Sequence, residues 1–172
     1  MPKFRDIPKF TPDGDYATDA DWGYFIDKWL PENIAQGLNM DPDFQRGHVW
    51  TETQQSRYIE FALRGGKSGK DIYFNHPQWM AGWEGEMVIV DGKQRIEAVR
   101  RFMQNEIKAF GHYFNEYEDN LRLTSARFRI HVNTLQTRAE VLQWYLDLNA
   151  GGVVHSDEEI EKVRALLAAE KA

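Results

Sequence analysis

The stretch Met87-Val88-Ile89-Val90-Asp91-Gly92-Lys93-Gln94-Arg95-Ile96-Glu97-Ala98-Val99 constrains the fold more than any other part of the chain. Four apolar residues in a row read as a short buried strand. Ile96, Val99, Phe102 and Met103 then recur at helical spacing. Asp91-Gly92 between them predicts a tight turn, because Gly accepts positive φ and an Asp side chain can bond back to the turn. A strand that turns straight into a helix places Gly92, Lys93, Gln94 and Arg95 at a helix N-terminus. Free backbone N–H groups and the positive dipole end gather there, which attracts anions. Lys93 and Arg95 add charge, and an Arg can grip a phosphate bidentately. The competing reading is a plain strand-to-helix turn in which Asp91 only caps the helix.

The rest of the chain predicts a single domain behind an irregular arm at 1–18, which carries Pro2, Pro8, Pro12 and Gly14. Residues 19–36 read as a helix with Trp22, Phe25, Ile26, Trp29 and Ile34 on its apolar face. Asp19 and Asp21 suit its start, and Pro31 predicts an end or a kink. Leu38 and Met40 alternate as in a short strand that Pro42 stops. Thr51-Glu-Thr-Gln54, Thr137-Arg-Ala-Glu140 and Ser156-Asp-Glu-Glu159 are capping boxes, each opening an amphipathic helix. Asp71–Phe74 and Phe128–Val132 read as strands, the second alternating apolar and polar. Residues 75–86 form a loop predicted to bring Trp79 and Trp83 near the central turn. Short strands set among helices predict an α+β fold with a small mixed sheet.

Composition removes several kinds of chemistry. The 172 residues contain no cysteine, so disulfides, thiol catalysis and cysteine-bound zinc are excluded. His48, His76, His112, His131 and His155 are scattered without metal-ligand spacing, which argues against a transition-metal site. No apolar run is long enough to span a bilayer, and residues 1–6 lack a signal-peptide core, so a cytoplasmic protein is expected. The formal net charge is −6, which opposes extensive nucleic-acid binding; the run from Arg122 to Arg138, with four Arg and no acid, is its only support. Gly65-Gly66-Lys67-Ser68-Gly69-Lys70 imitates a phosphate loop. However, Phe61 stands where the leading Gly is required, and the segment follows a helix instead of a strand.

What remains is three polar turns: Gln45-Arg46, Asp91 to Arg95, and Asn149 to Gly152. Brought together, they would supply two Arg, a Lys, helix N–H groups and glycine backbone, a set suited to a polyphosphate. Their order along the chain also carries a resemblance. Phe44-Gln45-Arg46-Gly47-His48-Val49-Trp50, then Val90-Asp91-Gly92-Lys93-Gln94-Arg95-Ile96, then Leu148-Asn149-Ala150-Gly151-Gly152 is similar to the DGQQR-motif domain of GmrSD-type modification-dependent restriction proteins, in the ParB/sulfiredoxin-like superfamily. The similarity covers roughly residues 38–160. Lys93 departs from the family, which usually has Gln there, and Gly65–Lys70 replaces a commonly Pro-containing link.

The resemblance implies a ParB/sulfiredoxin-like fold and a pocket for a nucleoside triphosphate, used as a nucleotide-fuelled switch for an attached nuclease. By motif position it implies Gln45, Arg46, Asp91, Gln94 and Arg95 as pocket residues, and Asn149 and Gly151 more weakly; the helix N-terminus adds Gly92 and Lys93 to the nucleotide-binding set. Asp91, Gln94 and Arg95 would carry a slow hydrolysis, with Asp91 meeting a Mg²⁺ ion that arrives with the nucleotide. A stand-alone copy in a bacteriophage or mobile element is the expected setting, without nuclease activity of its own. The alternatives are a non-enzymatic module that binds or mimics part of a restriction or defence complex, and a DNA-binding ParB-like protein.

Overall fold

The structure, a computed structural model, describes residues 2–45, 49–121, 125–150 and 157–172. Four strands form one sheet: β1 (Tyr16–Asp21), β2 (Asp71–Asn75), β3 (Val88–Asp91) and β4 (Arg127–Asn133). Their order across the sheet is β1-β4-β2-β3, with β4 and β2 parallel and the outer pairs antiparallel. This is the mixed sheet of a small α+β domain.

The alternation of β4 divides the molecule. Phe128, Ile130 and Val132 are buried on one face with Ile72, Phe74, Ile89 and Ala20. Helices α1 (Trp22–Tyr24), α2 (Leu30–Ala35), α3 (Glu52–Leu63) and α4 (Lys93–Met103), with the π segment Phe25–Trp29 between the first two, supply that face with Trp22, Trp29, Ile59, Ile96, Val99 and Phe102. The aromatic helix predicted over 19–36 is therefore core: Phe25 stacks on Trp29 at 5.0 Å, and Trp29 meets Phe74 at 4.9 Å. The opposite face is covered over β3 and β2 by α5 (Arg138–Asn149), whose Val141, Leu142 and Trp144 share a buried cluster with Val88 and Val90, and α6 (Asp157–Lys171) packs on α5 and adds Val163 and Leu167 to that cluster. Over β4 and β1 that face stays open, with Ala17, Asp19, Arg127 and Arg129 exposed.

Local signals set most boundaries. The Thr51 and Thr137 boxes both close, each Thr side chain accepting from the N3 backbone while the N3 side chain accepts from the Thr backbone. Ser156 lies outside the described residues, and α6 begins beside it.

Four expectations need correction. Asp19 does not open the first helix: it lies in β1, paired with Arg129, and Asp21 alone caps the helix by accepting from Tyr24 N–H. Pro31 does not end that helix. Residues Phe25–Trp29 form a π segment in which Leu30 N–H reaches Phe25 O, so the ladder slips one residue just before the proline that cannot donate. Leu38–Met40 makes only a single bridge, Asn39 with Val88, because the chain turns away after it. The loop 75–86 leads from the Asn75 end of β2 to the Val88 end of β3, opposite the central turn. Trp79 and Trp83 accordingly cluster with His76 and Tyr16, Trp79 lying 5.3 Å from Tyr16.

Candidate functional site

The strand-turn-helix forms as predicted, with Gly92 at its corner. Gly92 has φ 109° and is the N-cap of α4. A Cβ there would stand 2.6 Å from Ile72 Cδ1 and 3.3 Å from Ile72 Cα, so both the backbone angle and the approach of β2 require glycine. The N-cap has no side chain of its own, which leaves the first-turn N–H groups of α4 uncapped from that position.

Asp91 does not cap the helix. Its Oδ2 lies 3.1 Å from Arg95 Nη1, one helical turn ahead, and the same nitrogen donates to Asp71 O at 2.8 Å. Both side chains are about a quarter exposed. The position of Asp91 depends on a register shift between Tyr73 and Phe74. Phe74 opposes Ile89, so regular pairing would put Val90 opposite Tyr73; Asp91 stands there instead. A bulge of this kind re-aims a side chain. It sets Asp91 across from Tyr73, away from the buried face that Ile89 occupies.

Tyr73 is in turn opposite His131 on β4, and their rings stack 4.7 Å apart. His131 Nε2 lies 2.7 Å from Asp71 Oδ1. Asp91, Tyr73, His131 and Asp71 thus form one polar patch, and Trp144 of α5 packs edge-on against Tyr73 at 5.9 Å. Burial, then the charges of Asp71, Asp13 and Asp91, push the Tyr73 phenol up to about 12. Burial, then Asp91 and Glu159, push Tyr145 up to about 12 as well. Both phenols stay protonated at neutral pH and can only donate or accept as neutral groups.

The segment that precedes α3 is stitched to this turn at three points. Gln45 Nε2 donates to Ile89 O at 3.1 Å and also to Val90 O, closing the outer edge of β3 where the Asn39 bridge ends. Gln94 Oε1 accepts from Trp50 N–H at 2.9 Å. Lys93 Nζ reaches Asp41 Oδ1 at 2.7 Å. The first two polar turns of the sequence therefore do converge. Their glutamines act first as ties between backbone segments, and the Gln45 amide hydrogens are spent on β3. Arg46, between the two ties, lies outside the described residues.

The third turn contributes less directly. Helix α5 ends at Asn149 as predicted, but Asn149 Nδ2 folds back onto Tyr145 O at 2.7 Å, within its own helix. Gly151 and Gly152 lie outside the described residues. Asp91 is the one predicted metal contact; among the described residues no group of three or more His, Asp or Glu side chains is arranged to hold a metal ion. A single carboxylate remains compatible with Mg²⁺ that keeps its waters and arrives on phosphates.

Two further features bear on the alternatives. Arg127 and Arg129 lie 3.3 Å and 3.5 Å from Asp19, and Arg138 is held by Asp43 at 2.8 Å. Three of the four arginines of the basic run are thus paired with acids from β1 and residue 43, and Arg122 lies outside the described residues. Among the described residues, no helix is long and apolar enough to cross a membrane. Sequence reasoning missed Asp71, Tyr73 and His131 as members of the patch, and Tyr145 as a phenol that feels the Asp91 charge. The alternation Phe128-Arg-Ile-His-Val already placed His131 on the uncovered face, but only strand pairing reveals Tyr73 and Asp71 beside it.

No curated protein and no solved structure matches this chain. The family described as GmrSD restriction endonuclease, N-terminal domain, matches residues 28–131. That span is more than half of the 172 residues and holds both convergent motifs, Phe44–Trp50 and Val90–Ile96, while Leu148–Gly152 falls beyond it. By this match, which includes the turn just described, the chain belongs to the GmrSD restriction endonuclease N-terminal domain family, a family of restriction systems.

Proposed function

We propose that the β3–α4 turn binds a nucleoside triphosphate with Mg²⁺, and that the domain uses the bound nucleotide to regulate a nuclease partner of a restriction system. One observation carries this reading: α4 starts at a glycine N-cap, with Lys93 and Arg95 in its first turn and the Phe44–Trp50 segment tied alongside. Uncapped N–H groups beside two cations make an anion cradle.

The residues divide the work as follows. The α4 first-turn N–H groups receive phosphate oxygens, and Lys93 exchanges its exposed Asp41 partner for a phosphate. Such surface pairs contribute only about 0–1 kcal/mol, so the exchange costs little. Arg95 holds its Asp71 and Asp91 bonds through Nη1 and offers the rest of its guanidinium outward. Arg46 joins from the neighbouring segment. Gln94 keeps its amide N–H₂ for a phosphate oxygen or a water while its Oε1 holds Trp50. Bound Mg²⁺ would neutralise the phosphate charge, and Asp91 is the carboxylate that would meet it. Slow hydrolysis is a further expectation, with Asp91 or Gln94 orienting the water.

The experiment is calorimetric titration of ATP, GTP and CTP with Mg²⁺ on the wild type, Arg95→Ala and Asp91→Ala. Binding by the wild type that falls at least about tenfold in Arg95→Ala supports the site. Absence of binding to every nucleotide, with the fold intact by circular dichroism, overturns it.

A further inference from the structure

We infer that an aromatic cavity at the far end of α4 receives the arm 2–10 of a second copy of this chain. The cavity holds about 490 Å³ and is lined by Leu63, Phe102, Phe110, Phe114, Tyr117 and Leu121. Phe102 is its buried floor, while Phe110 stands 48% exposed at its mouth. Glu118 and Asp119 form part of its rim, and residues 115–120 carry three acids and no base.

Phe110 is held there against its own preference. Ala109 and His112 exchange backbone hydrogen bonds at 2.9 and 3.0 Å around a two-residue turn, with φ 50° at Phe110 and 81° at Gly111. Both central angles are positive, the type I′ geometry that favours Asn, Asp and Gly. A bulky ring in that position is strained, and its retention at the mouth of an apolar cavity points to a role in contact. Phe110 N–H is further fixed by Glu60 Oε1 at 2.8 Å.

The arm has the complementary chemistry. Phe4, Ile7 and Phe10 recur every third residue and are 93%, 59% and 70% exposed. Lys3, Arg5 and Lys9 accompany them against one acid, Asp6. Among the described residues, the arm is anchored only from Thr11 onward, where Thr11 N–H and Oγ1–H both donate to Asp147 Oδ2 at 2.8 and 2.7 Å. A basic, aromatic segment presented from a fixed anchor matches an acid-rimmed aromatic cavity in both shape class and sign. Exposed apolar clusters of this kind mark contact surfaces.

The test is sedimentation velocity of full-length chains over a concentration series. The wild type is expected to self-associate, and added salt is expected to weaken the association because the charges lie at the rim. Phe4→Ser/Phe10→Ser in the arm and Phe110→Asn in the cavity should each weaken it at least about tenfold, the loss typical of an aromatic anchor. Phe110→Asn suits its turn better than Phe, so the fold is retained. The exposed pair Glu118→Lys/Asp119→Lys provides an independent rim variant. Mixing the arm variant with the Phe110→Asn variant leaves one intact arm facing one intact cavity and should restore a heterodimer. A wild type that stays monomeric, variants that associate like the wild type, or a mixture that fails to associate would each overturn the proposal.

Discussion

Arg95 joins Asp91 to β2: its Nη1 lies 3.1 Å from Asp91 Oδ2 and 2.8 Å from the carbonyl oxygen of Asp71. One guanidinium nitrogen thus ties the last residue of β3 and the first turn of α4 to the first residue of β2. Removing it in Arg95→Ala leaves a partly buried carboxylate and a carbonyl to find water. That should cost about 1–2 kcal/mol of stability, read by urea unfolding, apart from any effect on nucleotide. A stability change within about 0.5 kcal/mol would mean the tie is ornamental to the fold.

Gly92→Ala tests the corner itself. The substitution adds a Cβ at positive φ and sets it 2.6 Å from Ile72 Cδ1. Strain and overpacking together predict a loss of about 2–4 kcal/mol, seen as a lower Tm. Gly37→Ala is the control: its φ is 100°, but nothing lies within 4 Å of the added atom. Only the backbone term applies there, so the loss should be about 1 kcal/mol. Equal losses at the two sites would show that Ile72 yields freely.

The Gln45 amide is predicted to be an edge cap for β3. In Gln45→Glu the donor that serves Ile89 O and Val90 O becomes an acceptor facing two acceptors. A loss of about 2–3 kcal/mol is expected, against about 1 kcal/mol for Gln45→Ala, where water can reach the carbonyls. Hydrogen exchange around Val88–Asp91 should rise in the Glu variant. If Gln45→Glu were as stable as the wild type, the amide would not be holding the edge.

Tyr73 and Tyr145, two of the four tyrosines whose phenols are pushed up, predict a loss of stability in alkali. Tyr73 and Tyr145 ionise near 12 in the folded chain against 10 for an ordinary tyrosine. Between those values the unfolded chain has lost these protons and the folded chain retains them. The native state then binds more protons, so stability falls as pH rises. The contribution is full below pH 10 and is lost as pH rises through about 12. Denaturant unfolding across that range should show the decline, and Tyr73→Phe and Tyr145→Phe should each flatten it. An unchanged slope in both variants would locate the effect in other phenols, of which Tyr58 is also pushed up by burial.

Asp147 is predicted to hold the arm. It accepts two hydrogen bonds from Thr11, while Asp13 accepts from Trp144 Nε1 at 3.2 Å one turn earlier on α5. Asp147→Ala should leave the sheet intact but expose residues before Asp13 to faster proteolysis and hydrogen exchange. Cleavage at the wild-type rate would show that the Asp13–Trp144 bond and the Asn133 Nδ2 bond to Pro12 O hold the arm without Asp147.

The sequence by itself determined what depends on neighbours along the chain. The Thr51 and Thr137 boxes, the alternation of β4, and the strand-glycine-helix corner at Gly92 are all local: each follows from a few consecutive residues and the angles they allow. The ordered motifs Phe44–Trp50 and Val90–Ile96 were equally legible, and they carry the family. Tertiary structure decided what depends on pairing between distant segments. Tyr16–Asp21 alternates too weakly to declare itself and becomes a strand by pairing with Arg127–Asn133. Gln45 and Gln94 read as ligands, yet their hydrogen bonds to Ile89, Val90 and Trp50 make them ties. Strict alternation would have sent Asp91 to the face of Ile89. The extra residue in β3 opposite Tyr73 turns it instead toward Tyr73 and Arg95. A register shift is a compromise between two strands and the helix that follows, and no single stretch of sequence contains all three.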